Sequence, residues 1–223
     1  MRHYPYHEEN ITGDLSEIKS ITLQKNIIVR ADWFVFTASQ PPFYGRFLNQ
    51  PKNQQELEKS LGVDRIMNLK KGKVKRAGFE VSGISSHNRL IERHDSYDGF
   101  YWVSYDFNSS EDKRDLIENP LGPRGAFTGK RVFDHDGSEM IYSLPNGFQA
   151  YYLTDSSGTP VNVAPGDIVY DPSNEKGGRI IKGISCIACH DQGTKSASDE
   201  ILTFVKRNPK RYTTEEHLSL IHI

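Results

Sequence analysis

The stretch MIYSLPNGFQAYYLTDSSGTPVNV, residues 140–163, decides the fold. It holds three short runs, Met140 to Leu144, Phe148 to Thr154 and Thr159 to Val163, rich in the aromatic and β-branched side chains that pack on a pleated surface. Pro145-Asn146-Gly147 separates the first two and Asp155 to Gly158 the last two. Asn and Gly tolerate the positive φ that tight turns impose, so both breaks predict hairpin turns and the whole stretch an antiparallel meander. Tyr101 to Phe107 reads as a further strand upstream of it.

Helical signals flank the meander. Asn53 as cap, Glu56 three residues on, Leu57 and Leu61 on one face and Gly62 as the stop predict a short surface helix. Ser198 to Arg207 carries an apolar stripe of Ile201, Leu202, Phe204 and Val205 with Pro209 beyond its end, and predicts another. The apolar clusters between residues 14 and 40 do not divide cleanly between strand and helix by periodicity, and Pro41-Pro42 ends that run. Lys70 to Lys75 reads as a solvated basic turn around Gly72, and Asn119 to Gly125, rich in Pro and Gly, as an ordered loop.

With 28 Lys and Arg against 29 Asp and Glu in 223 residues, the charge balance offers no basic field for nucleic acid. No stretch approaches the roughly 18 uninterrupted apolar residues of a spanning helix, and Met1 to His7 lack the apolar core of a signal peptide. Thr213 to Glu216 forms a helix-start pattern near the end of the chain. Leu218 to Ile223 match the translation of a transposase end sequence used in preparing sequencing libraries. The chain is therefore expected to be a truncated reading frame, with residues 218–223 an adapter artefact.

Both cysteines of the chain stand in Cys186-Ile187-Ala188-Cys189-His190, a C-x-x-C-H arrangement. Two thiols three positions apart on one helical turn can each add to a vinyl group of one porphyrin, and the adjacent imidazole can then serve as an axial ligand to the iron. Three other chemistries use similar residues. A thioredoxin-like dithiol expects a βαβ context with the motif opening a helix near the chain's start, a zinc site needs more convergent ligands, and a structural disulfide here would close too small a ring to constrain much chain. The other axial position has no methionine downstream of His190, because the methionines are Met1, Met67 and Met140. His135, in Phe133-Asp134-His135-Asp136-Gly137, is the internal candidate for a second iron ligand, although a turn histidine satisfied by polar neighbours has the same appearance. His87 and His94 flank a charged stretch and read as surface residues or as supports behind the ligands.

Five segments in this order, VRADWF (29–34), SSHNRLIERH (85–94), WVSYDF (102–107), LPNGFQAY (144–151) and GISCIACH (183–190), resemble a family of exported, uncharacterised bacterial c-type cytochromes with one C-x-x-C-H haem-binding domain. The resemblance covers most of residues 4–212. It implies haem c held by Cys186 and Cys189, iron ligated by His190, further sequence on both sides, and a periplasmic or other extracytoplasmic location. The expected architecture is α+β: a mixed domain over residues 1–172 ending in the meander, then a small, mainly helical cytochrome c-like module over residues 173–217. The expected function is one-electron transfer with redox partner proteins. The alternatives are a haem enzyme of peroxidase-like or small-molecule redox type, and a haem-based sensor with an open iron site.

Overall fold

The computed structural model describes residues 12–24, 26, 28–127, 131–172 and 177–212, so the helix-start pattern at Thr213 to Glu216 and residues 218–223 lie outside the described residues. The chain divides into two compact units, Met1–Thr37 and Ala38–Ile223. The ambiguous apolar run resolves into two helices, α1 (Thr12–Thr22) and α2 (Ala31–Ala38), the second of which ends at the first unit's boundary and carries exposed Trp33, Phe34 and Phe36.

The second unit is built on an antiparallel sheet flanked by helices, an α+β arrangement. It opens with α3 (Phe43–Phe47), α4 (Gln54–Leu61) and α5 (Arg65–Lys70). α4 forms as its sequence predicts: Asn53 accepts a hydrogen bond from the Glu56 amide at 2.8 Å, and Gly62 ends the helix at φ 72°. β1 (Lys75–Phe79), β2 (Arg89–Ser96), β3 (Gly99–Asp106), β6 (Gly137–Ser143) and β7 (Gln149–Asp155) pair in the order β1-β2-β3-β6-β7. A two-residue parallel pair, β4 (Gly122–Pro123) with β5 (Val132–Phe133), interrupts the predicted Asn119 to Gly125 loop.

The third run of the meander departs from its reading as a strand. Asp155 Oδ1 accepts from the amides of both Ser157 and Thr159, and Pro160 has no N–H to give a ladder, so Thr159 to Val163 makes only isolated bridges, Thr154 to Pro160 and Val163 to Ile181.

One sheet face is the core. Leu90, Tyr101, Val103, Tyr105, Met140 and Tyr152 point to it and pack with Leu57 and Leu61 of α4 and with Ile201 and Val205 of α7 (Glu200–Arg207). α7 thus shares the sheet's own core across the boundary expected at Pro172. Its docking needs Gly78, where a Cβ would lie 2.4 Å from Ile201 Cγ1. The Gly78 amide donates to Asp199 Oδ1 and the Glu80 amide to Glu200 Oε2, tying the outer side of β1 to the start of α7. On β7, the Tyr151 amide donates to Tyr44 Oη and its carbonyl accepts from Gln50 Nε2, tying residues 44–50 to the other outer strand. No helix among the described residues is long and apolar enough to cross a membrane.

Candidate functional site

The two cysteines reach their positions through the segment that precedes them. The Ala164 amide donates to the Ile180 carbonyl and the Lys182 amide to the Asn162 carbonyl, each at 2.9 Å, while Ile180 packs with Leu153, Ala164, Ile168 and Val169. Gly183 then turns the chain at φ 90°, and a Cβ there would lie 2.3 Å from the Ser39 carbonyl oxygen and 2.7 Å from the Tyr44 ring. α6 (Ile184–Cys189) follows, and the His190 amide donates to the Cys186 carbonyl at 2.9 Å. Cys186, Cys189 and His190 therefore share one helical turn, as their spacing predicts. Gly183→Ala is expected to destabilise this unit by about 3 kcal/mol, combining left-handed backbone strain with overpacking, read as a lower urea midpoint at unchanged slope.

His190 is oriented from two sides. Its Nδ1 lies 3.1 Å from the Gly193 carbonyl oxygen, and because a carbonyl only accepts, Nδ1 carries the proton and Nε2 keeps its lone pair. The Gly193 amide donates back to the His190 carbonyl at 2.9 Å, closing the turn. The ring stacks on Tyr151 with centroids 5.9 Å apart and planes at 28°. Burial lowers the His190 pKa against the opposing Gly193 hydrogen bond, so the ring is largely neutral at pH 7, the state in which imidazole binds metal.

Burial pushes the Cys186 thiol up to about 12, with the Glu139 carboxylate adding to the effect, and burial also raises Cys189. A thiol–disulfide catalyst needs the opposite shift, so the site is poorly arranged for thiolate chemistry. Among the described residues no three His, Cys, Asp or Glu side chains converge to hold a metal ion.

Tyr151, Ile141, Trp102 and Arg93 are consecutive cross-strand partners on the sheet face opposite the core, the face against which His190 stacks. Arg93 lies over the Phe100 ring at 4.5 Å and the Trp102 ring at 5.8 Å, and the Trp102 indole N–H is buried without a hydrogen-bond partner. Toward one end of this face Arg89 pairs with Asp106 and with Glu139, the latter at 3.2 Å, and Ser104 Oγ donates to Asp106 Oδ2 at 2.6 Å.

His135 is not brought to this site. Its ring packs edge-on to Tyr105, centroids 5.1 Å apart, and Tyr105 points into the core face, so the two imidazoles lie against opposite faces of the sheet and form no axial pair. His94 is fully buried beside Glu92 in that same core, a correction to its reading as a surface residue, while His87 meets Ser110 Oγ at 3.2 Å. Met140 is also in the core and Met67 sits on α5. Sequence reasoning missed Tyr44, Gln50, Tyr151, Gly193 and the Arg89 network. Of these only Gly193 had a local signal, a glycine four residues after a helix end.

No family model, curated protein or solved structure matches the chain.

Proposed function

We propose that Cys186 and Cys189 hold one haem through thioether bonds, that His190 Nε2 ligates its iron, and that the protein carries single electrons between redox partner proteins outside the bacterial cytoplasmic membrane. The observation that carries this reading is the His190 geometry: Nδ1–H engaged by the Gly193 carbonyl at 3.1 Å and Nε2 left basic, directly after two thiols on one helical turn. A carbonyl on the far nitrogen is the usual means of orienting a metal-binding imidazole.

The residues fit the group in three further respects. A porphyrin brings its own equatorial nitrogens, so one imidazole suffices where a bare ion needs a cluster of side chains. The half-exposed face beside Tyr151 offers Ile141 and Trp102 as apolar surface, with an indole N–H lacking a partner. Thioethers carry neither proton nor charge, so the burial that penalises a Cys186 thiolate costs a thioether nothing. Bound there, haem would supply Fe(III)/Fe(II) one-electron chemistry. The chain's part is to fix the imidazole between Gly193 and Tyr151, to anchor α6 through Gly183, and to shape polarity with the Arg89, Asp106 and Glu139 charges.

A second reading, a haem enzyme or sensor with an open iron position, is favoured by the placement of His135, His94 and Met140 on the core side of the sheet, opposite the face on which His190 stacks. The test is a pyridine haemochrome spectrum after acid-acetone extraction, on chain exported in a host with the haem-attachment machinery. Non-extractable haem with a c-type spectrum is expected, and chain retaining no haem overturns the reading. Carbon monoxide binding to the reduced protein then separates an open site from a six-coordinate carrier.

A further inference from the structure

Apart from α6, the unit contains a pocket of about 330 Å³ lined by Arg46, Asn49, Gln50, Tyr152, Asn162 and Lys182 among others. Two of its groups lack the partners their chemistry requires. Lys182 is 6% exposed, and its ammonium faces the Tyr152 ring at 5.4 Å with no carboxylate or hydrogen-bond acceptor bound to it among the described residues. The other buried cations of this unit are matched: Arg76 with Glu92, Arg89 with Asp106 and Glu139, Arg65 with Glu58. The ammonium opens on the pocket and not on a carboxylate, and the partial burial of the side chain lowers the Lys182 pKa.

The second group is Gln50 Oε1, buried with no partner. Its identity as the oxygen is fixed, because the other amide atom lies 2.7 Å from the Tyr151 carbonyl and must be the donor. A Cβ built at Gly45 would lie 3.3 Å from Gln50 Oε1 and 3.9 Å from Lys182 Nζ, so the orphan acceptor and the orphan cation flank the same small space. Arg46, exposed and in no ion pair among the described residues, adds a second positive charge at the pocket.

We propose that this pocket binds a small oxyanion that also carries an O–H group, hydrogen phosphate or a hydroxycarboxylate. The negative oxygens meet Lys182 and Arg46, and the O–H donates to Gln50 Oε1. Discrimination follows from the orphan acceptor: an anion without a hydroxyl leaves Gln50 Oε1 buried and unsatisfied.

Isothermal titration of the purified chain at pH 7 and fixed ionic strength, with chloride as the balancing anion, tests this. Phosphate is compared with sulfate, and lactate with acetate. Saturable binding of phosphate or lactate is expected, about tenfold tighter than that of its hydroxyl-free counterpart, with phosphate preference assigning a phosphate group and lactate preference a hydroxy acid. Lys182→Met, which keeps the stem's volume, is expected to weaken the bound anion by about tenfold or more, and the surface change Arg46→Gln by about threefold. Near-UV circular dichroism checks that both variants are folded. The proposal is overturned if neither phosphate nor lactate saturates, if each binds no tighter than its counterpart, or if the folded Lys182→Met chain binds as the wild type does.

Discussion

With haem held as proposed, changing Cys186 and Cys189 together to alanine is expected to take the haem that survives acid-acetone extraction from stoichiometric to background. The two thiols occupy one turn of α6, so each single change leaves one thioether and a shifted α-band, while the double change leaves none. Both cysteines are half-buried, and losing a sulfur from each is expected to cost only about 1 kcal/mol, so the variant stays folded and the loss reads as chemistry. His190→Ala separates attachment from ligation: extraction-resistant haem remains, but the visible spectrum changes with the loss of Nε2. Acid-stable haem in the double alanine variant would sink the thioether assignment.

The largest effect on stability is expected at Arg76. Its Nε lies 3.1 Å from Glu92 Oε1 in the core, and Glu92 also accepts from Tyr105 Oη at 2.7 Å and lies 3.4 Å from His94 Nε2. Arg76→Met strands a buried carboxylate and is expected to cost about 3–5 kcal/mol in urea denaturation, whereas Arg76→Met with Glu92→Met recovers much of the loss, because no uncompensated charge is left. The same carboxylate sets a pH dependence. Burial alone would raise the Glu92 pKa, but Arg76, the His94 contact and Arg65 outweigh it and hold it down to about 2. A folded-state pKa below the unfolded value of about 4.5 means that Glu92 contributes stability above that value and loses it as the pH falls toward 2. On the order of 3 kcal/mol should disappear over that window, and Glu92→Gln should flatten this part of the stability curve. An unaltered acid limb in Glu92→Gln would remove Glu92 as its source.

What was legible in the sequence was what depends on near neighbours. The Asn53 cap, the Gly62 stop, the turns at Asn146-Gly147 and Asp155 to Gly158, and the single turn that carries Cys186, Cys189 and His190 all arise within a few residues, and all form. β1 and β2 were not legible for the opposite reason. Lys75 to Phe79 has scant strand character of its own and is a strand because β2 pairs with it. The charged stretch around Arg89 to Arg93 resembles a surface, yet Arg89, Glu92 and His94 are buried, since Arg76, Asp106 and Glu139 arrive from other strands to neutralise or contact them. The clamp on His190 divides the same way: Gly193 is local, whereas Tyr151, with Tyr44 and Gln50 behind it, comes from chain far from the motif.

An open sheet has two outer strands, and unpaired amides along them invite a second chain to add a strand. In this sheet the Gly78 and Glu80 amides are engaged by Asp199 and Glu200 on one side, and both backbone groups of Tyr151 by Tyr44 and Gln50 on the other. The partners are side chains from helical and turn segments, which end the ladder instead of continuing it. Once the chain is folded, these stretches of the sheet's margins offer a neighbour no template to extend, and polymerisation through the sheet is blocked there by the same bonds that hold α7 and residues 44–50 in place.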